Sequence, residues 1–383
     1  MNYDVIVIGC GPAGSASAIL LGSAGWKVLL LERGRFPRHK LCGEFLTPEA
    51  RPILARLGAE ERMLAAGSAL IRQFNIYSPD GRCLAIPMDW IARGEALGIS
   101  RASMDRIMMD RAREVGVEVR EGFTVSSKLS AEGEDRVIEG HEDGRAPERL
   151  RARVIIDASG RNGAFSREVN QEASRLNGAR VFGCKVHLSR VEGMDGLGEL
   201  FFFGDGYGGL SDVEDERSNL CFLTTERTLI EARGDRTKLL DLTLRTNPAA
   251  RARLRSAEFI GEWHGTGPIT YGRQQTMPGI LAVGDSSAFI DPFTGSGMLL
   301  AFASGELAAE VIDRHLSTGR VRTDSIIADY QLRHRTLFSR RYRAVSMLRR
   351  LAFRAGTRHL MVSILSRQQS LARLIARSTR SGR

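Results

Sequence analysis

An α/β fold, with a parallel sheet interrupted by a second, mixed β-sheet, is what three features of the sequence predict. A β-branched run, Asp4-Val5-Ile6-Val7-Ile8, leads at once into the glycine turn Gly9-Cys10-Gly11-Pro12-Ala13-Gly14. A small-residue helix from Ser15 to Ser23 and a second apolar strand from Lys27 to Leu31 follow, with Glu32 at the strand's end. Far downstream, Gly279 to Asp285 repeats the pattern of an apolar strand ending in an acid.

Each element has a physical reason. An apolar run without alternation suits a strand buried on both faces. Gly9 permits a tight turn, Gly11 lets backbone approach a pyrophosphate, and Gly14 lets helix pack on strand. Pro12 and Ala13 begin a helix whose unpaired N–H groups and positive dipole end face phosphates. Glu32, followed by Arg33, stands where an acid accepts ribose hydroxyls. Strand, glycine turn, helix, strand and acid together make a Rossmann-type dinucleotide-binding unit.

The next segments extend it. Arg101 to Ala112 reads as a helix leading into Val117 to Arg120 and Gly122 to Val125. Arg151 to Gly160 reads as a strand ending in an acid-to-glycine turn, Asp157-Ala-Ser-Gly160. Asp291-Pro292-Phe-Thr-Gly295-Ser296-Gly297-Met298 opens another helix. The nucleotide domain is therefore expected to be discontinuous, over 1–70, 100–165 and 270–330. Two insertions, 71–99 and 166–269, are expected to form a mixed sheet. Its candidate strands are Gln73 to Tyr77, Cys83 to Ile86, Arg180 to Leu188, Gly198 to Phe203 and Asn219 to Thr224. Ser78-Pro-Asp-Gly81 marks a hairpin turn. A helical tail, 331–383, completes the chain.

Composition narrows the class. With 43% hydrophobic and 26% charged residues, the 383-residue chain has the make-up of a soluble globular protein. The start of the chain lacks a basic leader and no apolar run nears the roughly 18 residues of a membrane span, so a cytoplasmic enzyme is expected. The five cysteines are scattered without a Cys-x-x-Cys pair, which points away from zinc and disulfides. The net charge of +10 is local: residues 331–383 hold 14 arginines and no acid, and the rest holds 41 basic against 45 acidic side chains. The basicity describes a tail, and no nucleic-acid partner is expected.

With these motifs in place, the chain resembles the para-hydroxybenzoate-hydroxylase superfamily of FAD enzymes, in its geranylgeranyl-reductase-like branch. The likeness rests on the glycine start, the Asp157–Gly160 turn, and Gly284-Asp285 followed by Asp291-Pro292 and Gly295-x-Gly297-Met298. It implies non-covalent FAD, with Asp285 on a ribityl hydroxyl and Arg101 near the pyrophosphate. It also implies Val125 near the adenine, and Gly295, Ser296 and Gly297 at the pyrimidine edge of the flavin. In related reductases a Cys-Gly pair placed like Cys42-Gly43 lies close to the flavin.

Three chemistries suit such a scaffold. A reductase passes hydride to a carbon–carbon double bond, a monooxygenase hydroxylates or epoxidises, and a halogenase relays halogen through a lysine amine. The lysines are Lys27, Lys40, Lys128, Lys185 and Lys238, none in the early substrate-sheet strand near Phe74. The Trp-x-Trp-x-Ile-Pro pattern is also missing, so halogenase ranks last and reductase first. Cys42 is a candidate proton donor. Tyr207 is a second catalytic candidate, retained where the resembled reductases carry a Tyr-Trp-Phe-Pro motif; here the segment reads Gly206-Tyr207-Gly208-Gly209-Leu210. Phe201, Phe202, Phe203, Tyr207, Phe222, Met298 and Phe302 suggest an apolar small-molecule substrate. No second GxGxxG occurs, so electrons are expected from NAD(P)H docked in a groove or from a partner reductase. In the tail, Leu337, Tyr342, Val345, Leu348 and Leu351 recur at near-helical spacing among arginines, and Leu360 to Leu365 is apolar. This reads either as helices packed on the FAD domain or as a basic amphipathic element for an anionic membrane or an acidic carrier protein.

Overall fold

The computed structural model describes residues 2–161, 163, 165, 180–204, 206–274, 276–319, 322–352 and 357–378. The start of the second predicted insertion, 166–179, lies outside them, as does the side chain of Leu360.

The opening strand Asn2–Ile8 pairs in parallel with Val28–Glu32 on one side and Glu148–Asp157 on the other; Glu118–Glu121 extends the sheet beyond Val28–Glu32. Strand periodicity divides the apolar residues between two cores. Val5, Val7, Val28, Leu30, Val154 and Ile156 face the helix Pro12–Ser23 side, while Ile6, Ile8, Leu29, Leu31 and Ile155 face Phe123 and Val125. Both faces are covered, which is why the strands read as continuous apolar runs.

Strand Glu148–Asp157 changes partner along its length. Its first half pairs antiparallel with Asp135–Glu142, which pairs in turn with Phe123–Glu132. Its last two residues pair in parallel with Leu281–Ala282. That switch brings two distant turns together: Val283 N donates to Asp157 O at 2.9 Å, and Gly160 N to Ser286 Oγ at 2.8 Å.

The second sheet has seven strands in the order Glu258–Thr266, Val181–Ser189, Ser218–Thr225, Gly206–Asp212, Leu197–Phe203, Gln73–Tyr77 and Cys83–Pro87. Gln73–Tyr77 joins Leu197–Phe203 in parallel, so residues from both insertions share one sheet. Two of its strands, Gly206–Asp212 and Glu258–Thr266, were not among the predicted ones. The first is glycine-rich and locally unsuited to a strand, yet it is paired on both sides. The tail forms helices Thr323–Ala352, Thr357–Arg367 and Gln369–Ser378. The expected boundary at 331 therefore falls inside the first of them. Its buried stripe, from Ile326 through Tyr330, His334, Phe338, Arg341 and Val345 to Ala352, follows helical periodicity.

Candidate active site

One cavity of about 790 Å³ runs between the two sheets. At its nucleotide end the first glycine turn is held open by sterics. Gly9 has φ +104°, and a Cβ there would lie 2.5 Å from Ala158 O. Gly14 does not line the cavity. A Cβ on it would stand 2.0 Å from Gly9 O, so its role is close packing behind the turn. Gly11 does face the space: a Cβ on it would meet only Arg101 Nη2, at 3.7 Å, within 4 Å. Pro12 and Ala13 line the same wall at the helix N-terminus.

Charges gather here. Glu32 accepts from Cys10 N at 2.9 Å, Gly34 N at 2.9 Å and Arg38 Nη2 at 3.0 Å. Burial alone would raise its pKa, but Arg38 and the two N–H groups outweigh that and hold it below the usual range. Arg38 also pairs with Asp105, which takes a two-pronged contact from Arg101 at 2.8 and 2.7 Å. Arg33, Lys40 and Arg101 line the cavity, as do Phe123, Thr124 and Val125. Burial, then the neighbouring Arg38 and Arg101, lower the Lys40 pKa. Arg38, Lys40 and Asp105 carried no role in the sequence reading. The first two are basic residues just ahead of Cys42, a signal that was legible there.

Asp157 and Ser296 stand apart from the other candidate residues. Neither lines the cavity. The Asp157 carboxylate turns into its own loop, accepting from Ser159 N at 3.0 Å, and so shapes the Ala158–Arg161 wall to which Gly160 belongs. Ser296 is fully buried and accepts from Arg341 Nη2 at 3.1 Å. Asp285, Pro292, Gly295, Gly297 and Met298 do line the space. Burial raises the Asp285 pKa against the pull of Arg161, Arg101 and Lys40. Helix Gly297–Ser317 begins at this wall, and a Cβ on Gly297 would meet nothing within 4 Å.

Cys42 and Gly43 line the middle of the cavity, on a loop clamped to the second sheet. The next residue, Glu44, is the clamp. Fully buried at φ 53°, its carboxylate accepts from Arg101 N at 2.6 Å and pairs with Lys185 and, at 2.7 Å, with His187 Nε2. Lys185 also donates to Lys40 O at 3.2 Å, Asn219 Nδ2 to Cys42 O at 3.0 Å. Sequence reading missed this group because strand Val181–Ser189 supplies two members from about 140 residues away. The Cys42 thiol lies 3.6 Å from Met298 Sδ, and burial pushes its pKa up, so it stays protonated.

The far end is apolar. Phe74, Leu200, Tyr207, Leu223, Ile269, Phe289 and Phe293 line it. Tyr207 donates to Asp291 at 2.5 Å, and Arg349 of the tail holds the other oxygen of Asp291 at 2.9 Å while stacking over Tyr271 at 4.0 Å. Phe222 and Met298 also reach the cavity, whereas Phe201, Phe203 and Phe302 fill cores behind it, and Phe202 packs in the cluster beside Tyr207. Lys185 is sealed behind the Cys42 loop, and among the described lining residues Lys40 is the one lysine, at the charged end.

This space suits FAD: an open glycine turn at a helix N-terminus, an acid and several cations for ribose and phosphates, and a second helix start beside a long apolar slot. The FAD binding domain family profile matches residues 2–247. A flavin-dependent halogenase of Armillaria mellea, armH3, is 28% identical over 352 residues, covering 82% of this chain and 67% of the relative. Digeranylgeranylglycerophospholipid reductase 2 of Methanopyrus kandleri is 27% identical over 319 residues, covering 81% and 77%. The chain spans about two thirds of the length of armH3 and of two further halogenases it matches. The solved structure of the flavin-dependent brominase Bmp2 superposes with a TM-score of 0.79 at 21% identity, over 98% of this chain and 92% of that one, which shows a shared fold. Halogenases thus stand beside reductases among the relatives, although the sequence reading ranked that chemistry last. Cavity, glycine turn and family profile agree: the chain belongs to the FAD binding domain family, of the para-hydroxybenzoate-hydroxylase type, and is an FAD-dependent oxidoreductase.

Proposed function

We propose that the enzyme reduces a carbon–carbon double bond in an apolar small molecule, with NAD(P)H or a partner reductase supplying electrons. The observation that carries this reading is Cys42: a protonated thiol at the cavity wall, between the charged and apolar ends. FAD, when bound, supplies hydride chemistry; Gly11, Glu32, Arg38, Lys40, Arg101 and Asp285 would hold its nucleotide and ribityl parts. The chain does the rest. The apolar end excludes water and orients the substrate, and the Glu44 clamp fixes the Cys42 loop. Cys42 Sγ gives its proton to the carbon opposite the one that receives hydride, and solvent then reprotonates the sulfur. The reductase relative supports this reading.

Under anaerobic conditions the enzyme is expected to saturate an isoprenoid or enone probe. Cys42→Ser slows that turnover about tenfold, roughly 1.4 kcal/mol of barrier, with flavin reduction unchanged. A second reading, oxygen-dependent halogenation or hydroxylation, is favoured by the halogenase relatives. Product carrying bromine, chlorine or a new hydroxyl, formed only with oxygen present, would replace the reductase reading with this one.

A further inference from the structure

We propose that the C-terminal helices seat the enzyme on an anionic lipid bilayer, with the apolar end of the cavity next to the membrane. The inference deepens the reductase reading by naming where its substrate resides, and rests on it only for that purpose.

The tail helices have two kinds of surface. Inward, Ala352 and Met361 pack with Leu200, Tyr207 and Ile269, which line the cavity, so the tail lies behind its apolar end. Outward, large apolar side chains stand in water: Met347 is 65% exposed, Leu351 41%, Ile364 41% and Leu374 65%. Exposed arginines lie among them. Arg340, Arg343, Arg350, Arg367, Arg373 and Arg377 form no ion pair among the described residues. Some arginines elsewhere on the surface find acids, as Arg56 does with Glu306 and Arg62 with Glu114, and others such as Arg93 and Arg251 form no ion pair among the described residues; the tail differs in concentrating such arginines beside exposed apolar side chains. The tail carries no acid of its own from 331 onward; the body of the protein supplies partners to Arg333, Arg341 and Arg349, and the exposed arginines named above are left for an outside counter-charge.

The kind of partner follows from the mixture. Methionine, leucine and isoleucine interleaved with arginine match a boundary where acyl chains meet phosphate headgroups. Half-buried Trp90 borders a surface groove with Arg373, Leu374 and Arg377, a pairing of indole and guanidinium suited to the same boundary. No helix among the described residues is long and apolar enough to cross a membrane, so the contact is with the surface. Docked this way, the apolar end of the cavity, lined by Tyr207 and Ile269, lies on the side of the enzyme that faces the bilayer.

The test is flotation of the full FAD-loaded chain with vesicles of phosphatidylglycerol and phosphatidylcholine, against phosphatidylcholine alone. We expect binding to the anionic vesicles at low salt that weakens as salt rises. A variant carrying Met347→Ser, Leu374→Ser, Arg373→Gln and Arg377→Gln should bind at least about tenfold less, with flavin absorbance unchanged. If that variant loses flavin, the double change Arg373→Gln and Arg377→Gln replaces it and should still weaken binding several-fold. Absence of vesicle binding at low salt overturns the proposal, as does equal binding by the variants. Binding to an acidic carrier protein but not to vesicles overturns it too. None of these readouts involves turnover, so a failed membrane contact leaves the reductase reading standing, and a failed reductase assay leaves the contact standing.

Discussion

At the nucleotide end of the cavity, Glu32 and Arg38 come from one short segment and Arg101 and Asp105 from another, and ion pairs join the two. At the apolar end, Phe74, the hairpin carrying Leu200 and Tyr207, Ile269 and Phe293 come from four separate stretches, and Tyr207 is tied through Asp291 to Arg349 of the tail. The first end is built on a local glycine turn and its terminal acid, tied to the helix Arg101–Glu114 by ion pairs. The second is assembled only when the second sheet meets the segments carrying Ile269 and Phe293, with the tail packed behind them. A family that keeps one cofactor and varies its substrates has reason to be built this way, because changes at the apolar end leave the phosphate cradle untouched.

The largest effect should come from breaking the nucleotide end alone. In Gly11→Leu, a branched side chain enters the space where only Arg101 Nη2 stands within 4 Å. Purified protein should be folded but colourless, since the pyrophosphate can no longer approach the turn. Wild-type flavin absorbance in this variant would remove the turn from the cofactor site.

The join between the two ends comes next. Glu44→Gln keeps the shape but leaves the Lys185 ammonium buried without its anion, a change worth about 3–5 kcal/mol of stability and read as a lowered denaturation midpoint. The pH dependence has a definite sign. Burial raises the Glu44 pKa, but His187 and Lys185 outweigh it, so the folded value lies below the ordinary 4.5. Stability from this carboxylate is full above pH 4.5 and is lost as pH falls through the folded value. The gap between wild type and variant should therefore narrow on acidification. A gap that widens instead would show that Glu44 is not the anion of the clamp.

The smallest effect belongs to the link between tail and apolar end. Arg349→Leu leaves buried Asp291 with Tyr207 and the Phe293 N–H. Because the guanidinium is 37% exposed, solvent screens the pair, and a loss of about 1 kcal/mol is expected in denaturant melts. A loss as large as that of Glu44→Gln would place the tail among the determinants of the fold.

The opening unit was legible because its signals are local. A β-branched run, a glycine turn and a terminal acid each act within a few residues, and the strand reading put Gln73 to Tyr77 where the structure has it. Gly206 to Leu210 was read only as the remnant of a family motif, and glycine's weak strand preference hid the strand Gly206–Asp212 that neighbours on both sides impose. Asp157 and Ser296 were singled out by motif, but chain order cannot tell a residue that lines a cavity from one that shapes the wall behind it. By itself the sequence determined the cofactor class, the parallel sheet and the basic tail, all consequences of periodicity, turn chemistry and charge count. Only the tertiary structure decided that Glu44 pins Cys42 through Lys185 and His187, and that Arg349 reaches Asp291. Those contacts join residues some 60 to 140 positions apart, and pairing at that distance depends on how the sheets pack rather than on any local preference of the chain.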